Sequence, residues 1–381
     1  MPKVLTGIDQ IHDHLHLFEG KRIGLITNHT GFNKQFESTI DILYKNTNLV
    51  ALYAPEHGIR GDIQAGETVS TYIDKKTNLP VYSLYGKNKK PSYEMLKDID
   101  LLVYDIQDVG VRFYTYIYTL AYAMESCAEY NKEIIVLDRP NPLDGLDVEG
   151  NLLNLEFASF VGLYPIPQRY GLTVGEIAHL FNKEFHIECN LRIIPLKNWK
   201  RHMFYHDTEL PWIAPSPNLP SLSSAIVYPG TCMLSGTNIS EGRGTTQPFE
   251  LVGAPWIDEY ALSKKMNELS LSGVYFRPAY FIPTFYKYKG EICKGVQVHI
   301  TNHKEFQPVK VGLSLLYTIM DLHKEEFKFL PPTSETVKHK FDYSTGDSYI
   351  REQVYSLEEV WDRYEKESQQ FIKLKTKYHL Y

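Results

Sequence analysis

Residues 101–110 read Leu101-Leu102-Val103-Tyr104-Asp105-Ile106-Gln107-Asp108-Val109-Gly110. The apolar first half predicts a short strand covered on both faces, and the polar second half with its glycine predicts the loop that follows. Four similar runs occur in the first 140 residues, at Arg22–Thr27, Leu49–Tyr53, Pro80–Leu84 and Ile134–Asp138. Because helical patterns separate these runs, the sequence predicts βαβ units and a parallel sheet.

The hydrophobic period changes in the second half of the chain, which suggests a second domain. We predict an α/β protein with a Rossmann-like N-terminal domain over residues 1–235 and a smaller α/β (α+β) domain over residues 236–381. The predicted helices are Ser38–Tyr44, Ser92–Lys97, Phe113–Tyr130, Thr173–Phe185 with Thr173 as N-cap, Trp256–Leu269, Val309–Leu322 and Leu357–Leu374. The later predicted strands are Leu191–Leu196, Val274–Pro283 and Gly295–Thr301.

Composition and motifs exclude several classes of protein. The net charge is -6 over 381 residues, and no long basic stretch is present, which argues against a nucleic-acid surface. No segment approaches about 18 consecutive apolar residues, so no membrane span is expected. The four cysteines stand far apart and nucleotide-binding motifs are missing, so we expect no metal and no cofactor.

The N-terminus carries no apolar signal-peptide region, which predicts a cytoplasmic protein; a removed leader would instead place the mature enzyme in the periplasm or outside the cell. The sequence indicates no particular oligomeric state.

Polar residues follow the predicted strands, at the edge where open α/β sheets bind ligands. Asn28 follows the first strand, and Glu56, His57 and Arg60 follow the second. Glu56 is a candidate general acid, because partial burial raises the pKa of a carboxyl group. The alternative is that Glu56 and His57 cap a helix or tie down a loop.

Two more strand-end loops carry acids and arginines. Asp105 and Asp108 are candidates for a second carboxylate, and Arg112 for an anion clamp. Asp108 could instead cap the helix that begins near Arg112. After the next strand, Arg139 and Asn141 are candidate ligand contacts, although Arg139 could simply pair with the preceding Asp138.

The longest polar, glycine-punctuated stretch covers residues 236–246, at the predicted domain border where pockets tend to form. Within it, Glu241 is a candidate catalytic acid and Arg243 a candidate carboxylate-binding fork. A plain flexible linker is the alternative.

Taken together, these loops resemble the NamZ-type exo-β-N-acetylmuramidases of bacterial cell-wall recycling, over nearly the whole chain. The matching stretches are Gly7-Ile8-Asp9, Gly24-Leu25-Ile26-Thr27-Asn28, residues 54–62, Asp105-Ile106-Gln107-Asp108-Val109-Gly110, residues 137–142, Tyr228-Pro229-Gly230-Thr231 and residues 240–246. The resemblance implies a glycoside hydrolase that releases terminal N-acetylmuramic acid from the non-reducing end of peptidoglycan fragments.

Two other functions stay open at this point. Two α/β domains with a cleft between them also describe a non-catalytic sugar or muropeptide-binding protein. A hydrolase acting on an ester or amide of cell-wall fragments would use Asp108 or Glu241 to activate water.

Overall fold

The computed structural model describes residues 3–56, 58–60, 71–86, 88–334 and 337–381. Within these ranges the N-terminal half forms a seven-stranded sheet in the order β3-β4-β2-β1-β5-β6-β7. The strands are β1 (Arg22–Thr27), β2 (Asn48–Ala54), β3 (Tyr72–Ile73), β4 (Pro80–Ser83), β5 (Leu101–Asp105), β6 (Glu133–Leu137) and β7 (Asn190–Ile194). All neighbours pair in parallel except the short edge strand β3, which is antiparallel to β4. The predicted α/β fold is therefore confirmed.

The strand order reverses beside β1. From β1 the chain winds through β2 and β4 toward one edge, and then through β5, β6 and β7 toward the other. Such a reversal opens a crevice at the carboxyl ends of the strands, where ligands bind in this class of fold.

The sheet is covered on both faces, as the continuous apolar strands predicted. In β5, Leu101 and Val103 belong to one buried core, whereas Leu102 and Tyr104 belong to the other. Side chains of a strand alternate between faces, so each core receives every second residue. The helices of this half are α1 (Thr39–Asn46), α2 (Tyr93–Leu96), α3 (Tyr116–Glu129) and α4 (Val174–Glu184). Thr173 caps α4 in a reciprocal capping box with Glu176, which confirms its predicted role.

The C-terminal half contains a three-stranded antiparallel sheet in the order β8-β10-β9. Its elements are α5 (Leu222–Thr231), β8 (Leu251–Ala254), α6 (Glu259–Glu268), β9 (Val274–Phe281), β10 (Cys293–Ile300), α7 (Pro308–Leu322), α8 (Lys340–Thr345) and α9 (Leu357–Lys375). Short 3-10 helices complete the chain at Ile8–Leu17, Leu155–Phe157, Tyr205–Thr208, Cys232–Gly236 and Thr376–Tyr378. Among the described residues, no helix is both long enough and apolar enough to cross a membrane.

Helices α5 and α7 cross at two glycines. A Cβ atom on Gly230 would lie 1.8 Å from the carbonyl oxygen of Pro308, and one on Gly312 would lie 2.1 Å from the carbonyl oxygen of Gly230. The two backbones are thus in direct contact, which only glycine permits.

The end of the chain returns to the N-terminal sheet. The ammonium of Lys375 donates to the carbonyl oxygens of Gly145 and Gly171, each at 2.8 Å. The hydroxyl of the last residue, Tyr381, donates to the buried Asp138 at 2.6 Å. The C-terminal helix α9 therefore fastens the second half of the molecule to the first.

Candidate active site

A cavity of about 240 Å³ lies between the strand-end loops of the N-terminal sheet and the segment that carries Arg243. Glu56, which follows β2, lines one part of the wall, and Arg243 lines another. The remaining lining residues are Phe113, Tyr114, Thr115, Tyr116, Val161, Ser216, Asn218, Leu219, Tyr228, Cys232, Ser235, Phe249, Lys340 and Ser344. The cavity thus joins an acid, a fixed cation and several tyrosines, a wall suited to a polar organic ligand.

Glu56 is held at the cavity by hydroxyl groups. The hydroxyl of Thr115, just before α3, donates to its Oε2 at 3.0 Å. The carboxylate is also within hydrogen-bonding reach of Tyr85, and burial together with the Glu56 charge raises the pKa of that tyrosine. Tyr85 therefore stays protonated and can donate to Glu56. Glu56 itself is half-buried, so it can reach a ligand in the cavity.

Arg243 is fixed in place by a buried carboxylate and two aromatic rings. Glu241 is fully buried; its Oε2 accepts from the Lys287 ammonium at 2.9 Å, and its Oε1 lies 3.4 Å from Nε of Arg243. The guanidinium lies over the rings of Phe249 and Tyr286, at 5.3 and 5.4 Å from their centroids.

This part of the wall carries an excess of positive charge. Lys340 lines the cavity together with Arg243, whereas the carboxylate of Glu241 pairs with Arg243 and Lys287. Burial lowers the pKa of Lys287, and the repulsion from Lys340 and Arg243 adds to that effect. The arrangement favours an anionic group on the ligand.

Asp105 and Arg139 form an ion pair with each other and do not line the cavity. Both are buried, and the guanidinium donates to the two carboxylate oxygens at 2.6 and 2.8 Å. Arg139 also donates to the carbonyl oxygen of Phe32 at 3.0 Å, so the pair fastens the loop after β1. The alternative of an Asp138–Arg139 side-chain pair is wrong, because Asp138 instead accepts from Thr173 and Tyr381.

Asp108 is buried outside the cavity lining. Its Oδ2 accepts from the backbone N–H of Gly110 at 2.7 Å and from the Tyr170 hydroxyl. Burial raises the pKa of Asp108 to about 7, and these hydrogen bonds only partly oppose the effect. The alternative that Asp108 caps the following helix is wrong, because its side chain closes a turn at Gly110 and α3 begins only at Tyr116.

Arg112 acts as a brace between the two halves of the chain. Its guanidinium is fully buried and donates to the carbonyl oxygens of Asn151 at 2.6 Å, Ile166 at 2.9 Å and Thr345 at 2.7 Å. Because Thr345 is the last residue of α8, the side chain links the N-terminal loops to the C-terminal half. Arg112, the predicted anion clamp, does not line the cavity.

The other predicted contacts are also engaged within the protein. Asn28 accepts from Thr30, and Asn141 donates to the carbonyl oxygen of Leu172 at 2.9 Å. Arg60 pairs with Asp74 at 2.9 Å. His57 lies outside the described residues.

Several residues that line the cavity were not predicted from the sequence. Thr115 and Tyr116 stand at the start of α3, where only a helix was predicted. Tyr228 lies in a stretch that supports the family resemblance, but it was not predicted as a site residue. Lys340 lies about 100 residues beyond Arg243, and no local motif marks it.

Known proteins resemble this chain over its full length. The family model for the N-terminal part of the exo-beta-N-acetylmuramidase NamZ matches residues 23–223, and the model for its C-terminal part matches residues 226–381. A peptidoglycan beta-N-acetylmuramidase NamZ of Bacillus subtilis (strain 168) is 53% identical over 386 aligned residues, covering 100% of this chain and 92% of that protein.

Two solved structures of DUF1343 family proteins from Bacteroides fragilis share the fold. One has a TM-score of 0.92 at 43% identity, and the other a TM-score of 0.76 at 32% identity. Each alignment covers 100% of this chain and 99% of the other. The chain therefore belongs to the exo-β-N-acetylmuramidase NamZ family.

Proposed function

We propose that the protein is an exo-acting β-N-acetylmuramidase that releases terminal N-acetylmuramic acid from the non-reducing end of peptidoglycan fragments. Family membership and the named activity of the Bacillus subtilis relative support this proposal. The observation that carries it is the placement of Glu56 and Arg243 in the wall of one cavity.

Glu56 supplies the proton that the leaving sugar oxygen needs, while the oxygen of a water molecule becomes bonded to the anomeric carbon of the released muramic acid and its second proton returns to solvent or to the carboxylate. Glycoside hydrolysis requires a carboxylic acid beside the glycosidic oxygen, because an unprotonated sugar alkoxide is a poor leaving group. The hydroxyl of Thr115 donates to Oε2 and so orients the carboxyl group. Asp108 and Glu241, the other two predicted catalytic acids, lie outside the lining, so the geometry supports Glu56 alone among the three.

Arg243 binds the lactyl carboxylate that distinguishes muramic acid from other amino sugars. A guanidinium presents donors in a planar fork that matches a carboxylate. Glu241 is the paired carboxylate of both Lys287 and Arg243, so with Lys340 this part of the wall keeps a net positive charge toward the cavity. A sugar without the lactyl group offers these cations no carboxylate to bind.

Product analysis tests the proposal against the two alternatives. Purified protein is incubated with N-acetylmuramyl-β-1,4-N-acetylglucosamine and with peptide-bearing glycan fragments, and the products are separated by mass. Free N-acetylmuramic acid is the expected product. Release of acyl or peptide groups would indicate an ester or amide hydrolase, and tight binding without turnover would indicate a binding protein.

A further inference from the structure

A loop with exposed apolar side chains borders the cavity on the side of Arg243. This rim loop, residues 282–292, connects β9 to β10 and includes Phe285 and Tyr286, two residues that are 48% and 45% exposed. Ile282 and Ile292 are exposed as well. Clustered exposed apolar side chains beside a polar cavity are typical of a ligand-contact surface.

The rim loop is fastened at both sides of these aromatic residues. Before them, the backbone N–H and the hydroxyl of Thr284 both donate to the carbonyl oxygen of Gly244 at 2.8 Å. After them, Lys287 donates to the carbonyl oxygens of Leu234 and Ile239, at 3.0 and 2.6 Å, and to Glu241. These contacts hold the chain in place on both sides of the two aromatic residues.

The backbone adopts an unfavourable conformation to present these rings. Tyr286 and Tyr288 have φ angles of 69° and 55°, in the left-handed region that tyrosine rarely adopts. Gly244 allows the close approach, since a Cβ there would lie 2.6 Å from the carbonyl oxygen of Phe285. Strain of this kind persists where the surrounding structure enforces it, and it concentrates at functional sites.

Tyr286 continues the cavity wall outward. Its ring centroid is 5.4 Å from the guanidinium carbon of Arg243, and its hydroxyl accepts from the Lys340 ammonium at 3.4 Å. Both cations line the cavity, so the ring of Tyr286 lies directly beside the cavity wall.

We propose that Phe285 and Tyr286 form a second sugar subsite, where the N-acetylglucosamine that follows the terminal sugar stacks on the aromatic rings. This inference rests on the proposed function. A cavity of about 240 Å³ is below the usual size of a site for a drug-sized ligand and suits one sugar, so the rest of the glycan lies outside it, where the rim loop offers exposed aromatic rings. The C–H face of a sugar ring is apolar and its edge is polar, which matches an amphipathic tyrosine beside a phenylalanine.

Binding of a one-sugar and a two-sugar ligand tests the subsite directly. We would titrate the slow Glu56→Gln variant calorimetrically with N-acetylmuramic acid and with N-acetylmuramyl-β-1,4-N-acetylglucosamine. Adding Phe285→Ala and Tyr286→Ala should weaken disaccharide binding at least tenfold and change monosaccharide binding less than twofold. Tyr286→Phe, which keeps the ring, should restore most of the disaccharide affinity when Phe285 is intact. Tyr44→Ala, at an exposed aromatic residue of α1, is the matched control and should change neither.

Two outcomes would overturn the inference. Equal weakening of both ligands would show that the rim loop only supports Arg243, and unchanged disaccharide binding would show that the rings face a different partner, such as a membrane or a second copy. If the parent Glu56→Gln variant binds neither ligand, both the proposed substrate and the second subsite are refuted. If the Glu56→Gln variant binds both ligands but the rim-loop substitutions weaken them equally, only the second subsite is refuted and the proposed function stands.

Discussion

Replacement of Arg243 by glutamine should remove recognition of the lactyl carboxylate while leaving the fold intact. The fold survives because Glu241 keeps its salt bridge to Lys287 at 2.9 Å. Glutamine can still donate one neutral hydrogen bond, but it loses the charge and the planar fork.

The size of the effect follows from the contacts that are lost. A hydrogen bond to a charged group contributes about 1.5–3 kcal/mol, and each factor of ten in rate corresponds to about 1.4 kcal/mol. We therefore expect kcat/KM on the muramyl disaccharide to fall by about 10- to 150-fold in Arg243→Gln.

A neutral substrate separates recognition from general damage. The assay compares the free disaccharide with a derivative whose lactyl carboxylate is converted to an amide. It uses wild type, Arg243→Gln and, as a control, Arg277→Gln at an exposed arginine of β9. The substitution should cost less than about threefold on the amide, because no charge pair is lost there. An equal loss on both substrates, or a loss below threefold on the free acid, would refute the assignment of Arg243.

Three further predictions concern buried groups. Lys287→Met should reduce the free energy of unfolding by about 1.5–3 kcal/mol in urea, because the buried Glu241 loses its hydrogen-bonded partner and keeps only Arg243 at 3.4 Å; a change below about 0.5 kcal/mol would contradict this. Gly230→Ala should cost about 3 kcal/mol or more in the same assay, because the new Cβ meets the carbonyl oxygen of Pro308, and a thermal midpoint equal to wild type would exclude such close packing. Burial raises the pKa of Asp108 from 3.8 to about 7, so the stability from its protonated form is present below pH 4 and lost as the pH rises through 7. Asp108→Asn should remove this pH dependence, at most roughly 4 kcal/mol, when unfolding is compared at pH 4 and pH 8, and identical pH slopes would contradict the shift.

The central sheet could be predicted because its signal is local. Each parallel strand is a continuous apolar run, and each run is followed by polar residues at the carboxyl edge. Helix α5 was missed because Pro229 and Gly230 read as helix breakers. In the folded protein Gly230 is required for the contact with α7, so tertiary packing overrides local propensity.

The site was predicted only in part, since sequence shows which residues follow a strand but not where their side chains point. Glu56 and Arg243 both line the cavity. Arg112 looked like an anion clamp, but its donors are taken by carbonyl oxygens far away in the chain, including that of Thr345. Lys340 could not be found, because only the folded chain brings it beside Arg243.

The central claim is that Glu56 is the proton donor for cleavage of a terminal muramyl bond. The direct test is the release of free N-acetylmuramic acid from the muramyl disaccharide by wild type and Glu56→Gln, with circular dichroism and thermal unfolding as checks on the fold. Glutamine keeps the acceptor for Thr115 but cannot protonate the leaving oxygen, so kcat should fall by about 10²- to 10⁴-fold with an unchanged thermal midpoint. A Glu56→Gln variant whose kcat stays within threefold of wild type would contradict the account.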